Sequence, residues 1–131
     1  MSYERFFKYK EELEKDLKID QFTIGDKVNQ IPHLKHFWVA KLIESKIELK
    51  SLQKRKNELI KEITEKTKAE LQLSLSSTNN IINKAPVIVE INEKIEELEL
   101  VIEYLEKAEK IFSSMTYDIK NSIEILKMEN Q

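Results

Sequence analysis

The sequence has no cysteine, only one glycine and only two prolines among its 131 residues. Without cysteine the chain can form neither a disulfide, a thiolate metal site nor a cysteine nucleophile, which fits a reducing compartment. The scarcity of glycine and proline leaves few positions for tight turns, strand hairpins or phosphate-binding loops. We therefore expect a cytoplasmic protein built from long, uninterrupted helices.

Long apolar runs are absent as well, since no stretch approaches the roughly 18 consecutive apolar residues of a membrane span. The first ten residues, MSYERFFKYK, are charged and lack the apolar core of a signal peptide. The sequence thus predicts a soluble protein with no membrane partner.

Signatures of catalysis are also missing. The chain has no nucleophile elbow, no glycine-rich phosphate loop and no zinc-protease helix motif. His33 and His36 are close in sequence, but a metal site needs a third and usually a fourth ligand. We expect no enzyme activity, no metal and no cofactor.

Regular apolar spacing is the main feature that is present. Residues 2–18 carry an apolar stripe at intervals of three and four, which predicts a short N-terminal helix. Its members are Phe6, Tyr9, Leu13 and Leu17. A break is predicted around Gly25, and a second helix is predicted over 32–72, with Pro32 in its first turn. Residues 73–86, rich in Ser, Thr and Asn, are predicted to form a connector, in which a short strand near Leu73 stays open.

The last predicted helix, 87–128, carries a heptad pattern, which indicates a coiled coil. Its predicted oligomerisation residues are Ile91, Leu98, Ile102, Leu105, Phe112, Ile119, Ile123 and Leu126. Two long helices alone cannot bury such wide apolar faces, so we expect the C-terminal helices to meet other copies. The alternative is that the N-terminal helix folds back and closes a monomeric three-helix bundle. Either way, residues 1–131 form one all-α domain, a long helical hairpin or coiled coil with a short N-terminal helix.

Charge is distributed unevenly between the two long helices. Residues 41–72 hold nine Lys or Arg against six Glu, whereas residues 87–112 hold three Lys against eight Glu. Five lysines of the first segment fall within about 80° of arc at the helical period. They are Lys46, Lys50, Lys54, Lys61 and Lys68. Such a stripe could follow a phosphate backbone, or it could pair with the acidic helix and only solubilise the bundle.

Four aromatic residues are candidates for stacking on single-stranded bases. They are Phe37, Trp38, Tyr104 and Tyr117. Trp38 lies on the apolar side of its helix, so packing explains it better than stacking.

The order of several segments resembles the UvsY family, the recombination mediators of T-even-type phages. The segments are KYKEELEKDLKID (8–20), IPHLKHFWVAKL (31–42), the Lys-rich helix, and YDIKNSIEILKM (117–128). One departure is KTKAELQLSLSSTNN, which stands where the family commonly has a Tyr-rich, Gly-containing turn.

The resemblance implies a non-enzymatic protein that binds single-stranded DNA and assembles into rings of about six or seven copies through its C-terminal helices. It implies two protein partners, a UvsX-like recombinase and the single-strand-binding protein that the recombinase replaces, in the cytoplasm of an infected bacterium. Basic residues in the middle of the chain contact DNA in the family. By position these correspond to Lys54, Arg55, Lys56 and Lys61, with Lys50, Lys66 and Lys68 as neighbours.

Two other classes of protein remain open from the residues alone. A structural or prefoldin-like coiled-coil scaffold, with a small β-element within residues 71–90, would bind no oligonucleotide. A hydrolase or metal enzyme would need a cofactor in the purified protein.

Overall fold

The computed structural model describes residues 3–17, 24–71 and 75–130. This part of the chain forms four α-helices and contains no strand, which confirms the predicted all-α class. The helices are α1 (Glu4–Leu17), α2 (Ile24–Leu71), α3 (Leu75–Lys84) and α4 (Pro86–Glu129).

Helices α2 and α4 form a long antiparallel hairpin. The Lys46 amine lies 3.4 Å from the Glu106 carboxylate, which fixes the register between the two helices. Trp38 and Phe112 are both buried in the half of the hairpin towards its open end, whereas Leu59 and Ile91 are buried near α3. The apolar stripes of the two helices therefore face each other along the hairpin.

Helix α1 folds back on the hairpin and covers its apolar surface on one side. Leu13 is buried in the same cluster as Trp38, and the other three members of its stripe pack against that cluster. The Arg5 guanidinium donates a hydrogen bond to Glu48, and this bond raises the pKa of Arg5 above its ordinary value. This is the fold-back arrangement that the sequence left as an alternative.

The connector predicted over 73–86 is largely helical, which is a correction. Helix α3 forms because Thr78 and Ile82, one turn apart, are both buried, and Ile82 packs with Leu59 and Ile88. Burial of this face outweighs the preference of Ser, Thr and Asn for turns. A β-element within 75–90 is therefore wrong, and Leu73 lies outside the described residues.

A single residue interrupts the helical conformation between α3 and α4. Ala85 is extended, with φ −60° and ψ 129°, because the ring of the following Pro86 disfavours helical geometry before it. Pro86 then starts α4, where its missing N–H needs no partner.

The second helix begins at Ile24 and not at Pro32, which corrects another prediction. Pro32 removes one backbone donor from the helix, but it is exposed, so water can satisfy the carbonyl one turn earlier. Ile31 beside it is 1% exposed, and its burial holds this turn of the helix on α4. Residues 18–23, where the predicted break begins, lie outside the described residues.

The heptad residues of α4 divide into two groups. Five of the eight predicted oligomerisation residues are buried in the core of the chain itself: Ile91, Leu98, Ile102, Leu105 and Phe112. Ile119 and Ile123 line an apolar groove of about 260 Å³ beside Val28 and Pro32, and Leu126 is 43% exposed. The predicted oligomerisation residues that are not buried in the chain's own core thus lie in the last third of α4.

Candidate nucleic-acid interface

Three lysines line one shallow groove on the outer face of α2, the face turned away from α4. They are Lys50, Lys54 and Lys61, and Gln53, Asn57 and Glu58 complete the lining. All six side chains are exposed. We refer to Lys50, Lys54 and Lys61, with their continuation at Lys68, as the Lys face.

The Lys face follows from the spacing of the sequence and the burial of the opposite side. Residues four and seven apart share one side of a helix, so Lys50, Lys54 and Lys61 align. The apolar positions Leu42 and Leu59 are buried on the other side of α2. Packing of that side against the core therefore forces the lysines outwards into solvent.

Lys46, the first lysine of the predicted stripe, has a different environment. It is exposed, but its amine pairs with Glu106 across the hairpin at 3.4 Å. The sequence left open that the lysines pair with the acidic helix, and Lys46 does form such a pair. The Lys face itself lies on the far side of α2 from α4.

The other basic residues suggested by the family resemblance lie elsewhere on α2. Arg55 is exposed and lies 3.6 Å from Glu58. Lys66 is exposed and lies eleven residues after Arg55, about three helical turns, so the two side chains are only about 20° apart around the helix and share a flank of α2. Lys56 is half-buried and projects on the side of α2 that packs on the core. The structure thus brings together Lys50, Lys54, Lys61 and Lys68 but not the whole predicted set.

The aromatic candidates separate in the same way. Trp38 is 1% exposed, and the Tyr104 ring packs edge-on against Phe6 with centroids 5.2 Å apart, so these two belong to the packing of the chain. Phe37 is 45% exposed with the Lys41 amine 5.4 Å from its ring centroid, and Tyr117 is 65% exposed. Neither of the two exposed rings is among the residues that line the groove of the Lys face.

Sequence reasoning missed two kinds of residue on this surface. Gln53 and Asn57 add amide groups to the groove. The sequence feature that could have identified them is their spacing of three residues from Lys50 and Lys54, which places them beside these lysines on the helix. Ile43 and Ile47 are 49% and 60% exposed, although apolar residues of an amphipathic helix usually face the core. The sequence feature that could have identified Ile43 and Ile47 is their spacing, which places them on the same side of α2 as the lysines and not on the side of Leu42.

Two further observations bear on the chemistry of the described part of the chain. It contains no group of three His, Cys, Asp or Glu side chains that could hold a metal ion, and His33 and His36 are both exposed. None of its helices combines the length and the apolar character that crossing a membrane requires.

Comparison with known proteins gives one family. The family model described as the recombination, repair and ssDNA binding protein UvsY matches residues 12–131, which is all but the first eleven residues. No curated protein matches the chain, and no solved structure does.

Proposed function

The chain belongs to the UvsY family of recombination, repair and single-stranded DNA binding proteins, and on this basis we propose that it holds single-stranded DNA along the Lys face of α2. The observation that carries the proposal is the alignment of Lys50, Lys54 and Lys61 in one open groove. Cationic side chains on a rigid helix gain affinity by displacing counterions from a phosphate backbone.

The chemistry of the groove favours contacts to the backbone of the strand. Ammonium groups are point charges that bind phosphates, and the amides of Gln53 and Asn57 can add hydrogen bonds. Phosphate contacts carry little sequence information, so binding to different sequences is similar. The bases of a strand held in this way remain accessible to a second protein.

The family membership and the resemblance support a wider role as a recombination mediator. In this role the protein acts by binding and not by catalysis, and it helps a UvsX-like recombinase take the place of the single-strand-binding protein during homologous recombination and repair. Copies would associate through the exposed end of α4, in the cytoplasm of the infected cell. Several Lys faces in one particle would then raise the effective concentration of binding sites along one strand.

The test is a fluorescence anisotropy titration with single-stranded oligonucleotides at two salt concentrations. We expect the combined change Lys50→Ala, Lys54→Ala and Lys61→Ala to weaken binding of every sequence and to flatten its logarithmic salt dependence by about 2, since each lost phosphate contact contributes roughly 0.7. The control is Lys8→Ala, Lys110→Ala and Lys127→Ala, which removes the same charge from exposed positions outside the groove. An equal loss in both variants, or no loss in the first, would contradict the Lys face as the DNA site.

A further inference from the structure

The outer face of α4 carries a row of exposed acidic and apolar residues, and Glu93 and Glu96 in it form no ion pair with the described residues of the chain. At the helical period these residues fall within an arc of about 60°. They are Val89, Glu93, Glu96, Leu100 and Ile111, and all five are exposed. We refer to them as the Glu face. Lys107 lies within the same arc, but its amine pairs with the neighbouring Glu103 at 3.2 Å.

The Glu face and the outer face of α2 lie on opposite edges of the hairpin. In each helix the buried seam points towards the partner helix, so the remaining outer faces point in opposite directions. The outer face of α2 combines Ile43 and Ile47 with the lysines, again within about 60° of arc. Each edge of one chain therefore combines exposed apolar residues with charge of a single predominant sign.

The two edges also match in height along the hairpin. The contact between Lys46 and Glu106 means that residues of α2 and α4 at the same height have numbers that add up to 152. Copies related by rotation about an axis parallel to the hairpin lie at equal heights, so the same rule applies from one copy to the next.

This rule places apolar residues of one copy near the height of apolar residues of the next, and lysines near the height of glutamates. Ile43 of one copy is level with position 109 of α4, two residues, or about 3 Å, from Ile111. Lys54 and Lys61 are level with positions 98 and 91, each about 3 Å along the axis from Glu96 and Glu93 respectively. An ammonium group on its flexible stem reaches across such an offset.

We propose that the Glu face of a second copy of this chain covers the Lys face when no DNA is bound, so that single-stranded DNA and the neighbouring copy compete for Lys54 and Lys61. This proposal rests on the proposed function, because it describes regulation of the same DNA site. Exposed ion pairs are individually weak and are screened by salt. A polynucleotide, with its continuous row of phosphates, therefore displaces the carboxylates of the neighbour.

The first experiment is zero-length cross-linking of lysine amines to carboxylates with a carbodiimide, on a mixture of unlabelled and ¹⁵N-labelled protein. Lys54 and Glu96 point away from each other within one chain, so a Lys54–Glu96 or Lys61–Glu93 link must join two copies. We expect these mixed-isotope links without DNA and their loss on addition of an oligothymidylate. Absence of these links, or links that persist unchanged at saturating oligonucleotide, would overturn the proposal.

A charge exchange tests the pairing itself. We expect the variant Lys54→Glu with Lys61→Glu, and the variant Glu93→Lys with Glu96→Lys, each to lose the cross-links alone, because like charges then oppose each other. The mixture of the two variants should regain them between unlike copies, with the original polarity where the second variant supplies the Lys face and with reversed polarity where the first variant supplies it. Loss in both variants without recovery in the mixture would reject direct contact between the two faces.

The last measurement separates this proposal from the proposed function. We expect Glu93→Gln with Glu96→Gln to tighten oligonucleotide binding roughly three- to tenfold, since more of the Lys face is free. The control Glu11→Gln with Glu124→Gln removes the same charge elsewhere, and an equal gain there would reject the competition. If the unmodified protein binds no single-stranded DNA, the proposed function fails, whereas the cross-links between copies would still report contact of the two faces.

Discussion

The indole N–H of Trp38 donates a hydrogen bond of 2.8 Å to the carboxylate of Asp16. Trp38 is 1% exposed and lies at the centre of the cluster between α1, α2 and α4. The Tyr9 ring packs edge-on against it, with centroids 5.8 Å apart. Helix α1 thus contacts Trp38 of α2 in two ways, by packing the Tyr9 ring against the indole and by accepting its N–H hydrogen bond at Asp16. These two contacts explain why the short helix docks in one position.

We predict that Asp16→Ala destabilises the protein by about 1–3 kcal/mol, because the buried N–H of Trp38 loses its acceptor. Asp16→Asn keeps an amide oxygen that can accept the bond, so it should lose less. The measurement is urea unfolding followed by Trp38 fluorescence. Equal midpoints for Asp16→Ala and the unmodified protein would show that the bond contributes nothing to docking of α1.

Tyr104 should contribute to the loss of stability of the protein at alkaline pH. Burial raises the pKa of Tyr104 above its ordinary value, and Glu14 contributes a smaller rise. The folded chain therefore holds the phenol proton more tightly than the unfolded chain. Its contribution to stability is present below the unfolded pKa of about 10 and is lost as the pH rises through the folded pKa.

We predict that Tyr104→Phe loses less stability than the unmodified protein when the pH is raised from about 8 to about 10.5, since phenylalanine has no proton to release. The comparison of urea midpoints at the two pH values measures this difference. Tyr117→Phe is the control, because its ring is 65% exposed. The assignment fails if the two variants respond to pH alike.

Folding and assembly should respond to different residues of α4. Leu105 is 1% exposed and Phe112 is completely buried, so we expect Leu105→Ala to cost about 2–5 kcal/mol and Phe112→Asp to abolish the helical circular dichroism signal. These positions therefore report on folding of the chain, although their heptad spacing suggested oligomerisation.

Leu126→Asp is the matching test of assembly. Leu126 is 43% exposed, so we expect its change to alter the free energy of unfolding by no more than about 0.5 kcal/mol and to lower the particle mass in light scattering. An unaltered mass would place the contact between copies outside the end of α4.

The half-buried position of Lys56 leads to a prediction that separates the geometry from the family resemblance. We expect Lys56→Met to leave oligonucleotide affinity within about twofold, because its stem packs on the inner side of α2 and methionine preserves that packing. Lys54→Met should weaken binding at low salt. A larger loss at Lys56 than at Lys54 would favour the sequence-based assignment over the Lys face.

Part of the candidate site could be predicted from the sequence because helical periodicity is local. The alignment of Lys50, Lys54 and Lys61 needs only a continuous helix, and no glycine or proline interrupts residues 33–72. The inward direction of Lys56 could also be read from its position between Leu52 and Ile60. Adjacency to Arg55 in sequence obscured it, since consecutive residues point to different sides of a helix.

The sequence by itself determined that the chain is helical, which side of each long helix is apolar, and where the lysines align, since all three depend on spacing within a few turns. Only the tertiary structure decided what covers the apolar sides. Heptad spacing is the same whether Leu105 and Phe112 meet another copy or the chain's own α1 and α2. That choice depends on contacts between residues far apart in sequence, such as Asp16 with Trp38 and Phe6 with Tyr104. No local pattern encodes such contacts, because their free energy arises only when the separate helices pack together.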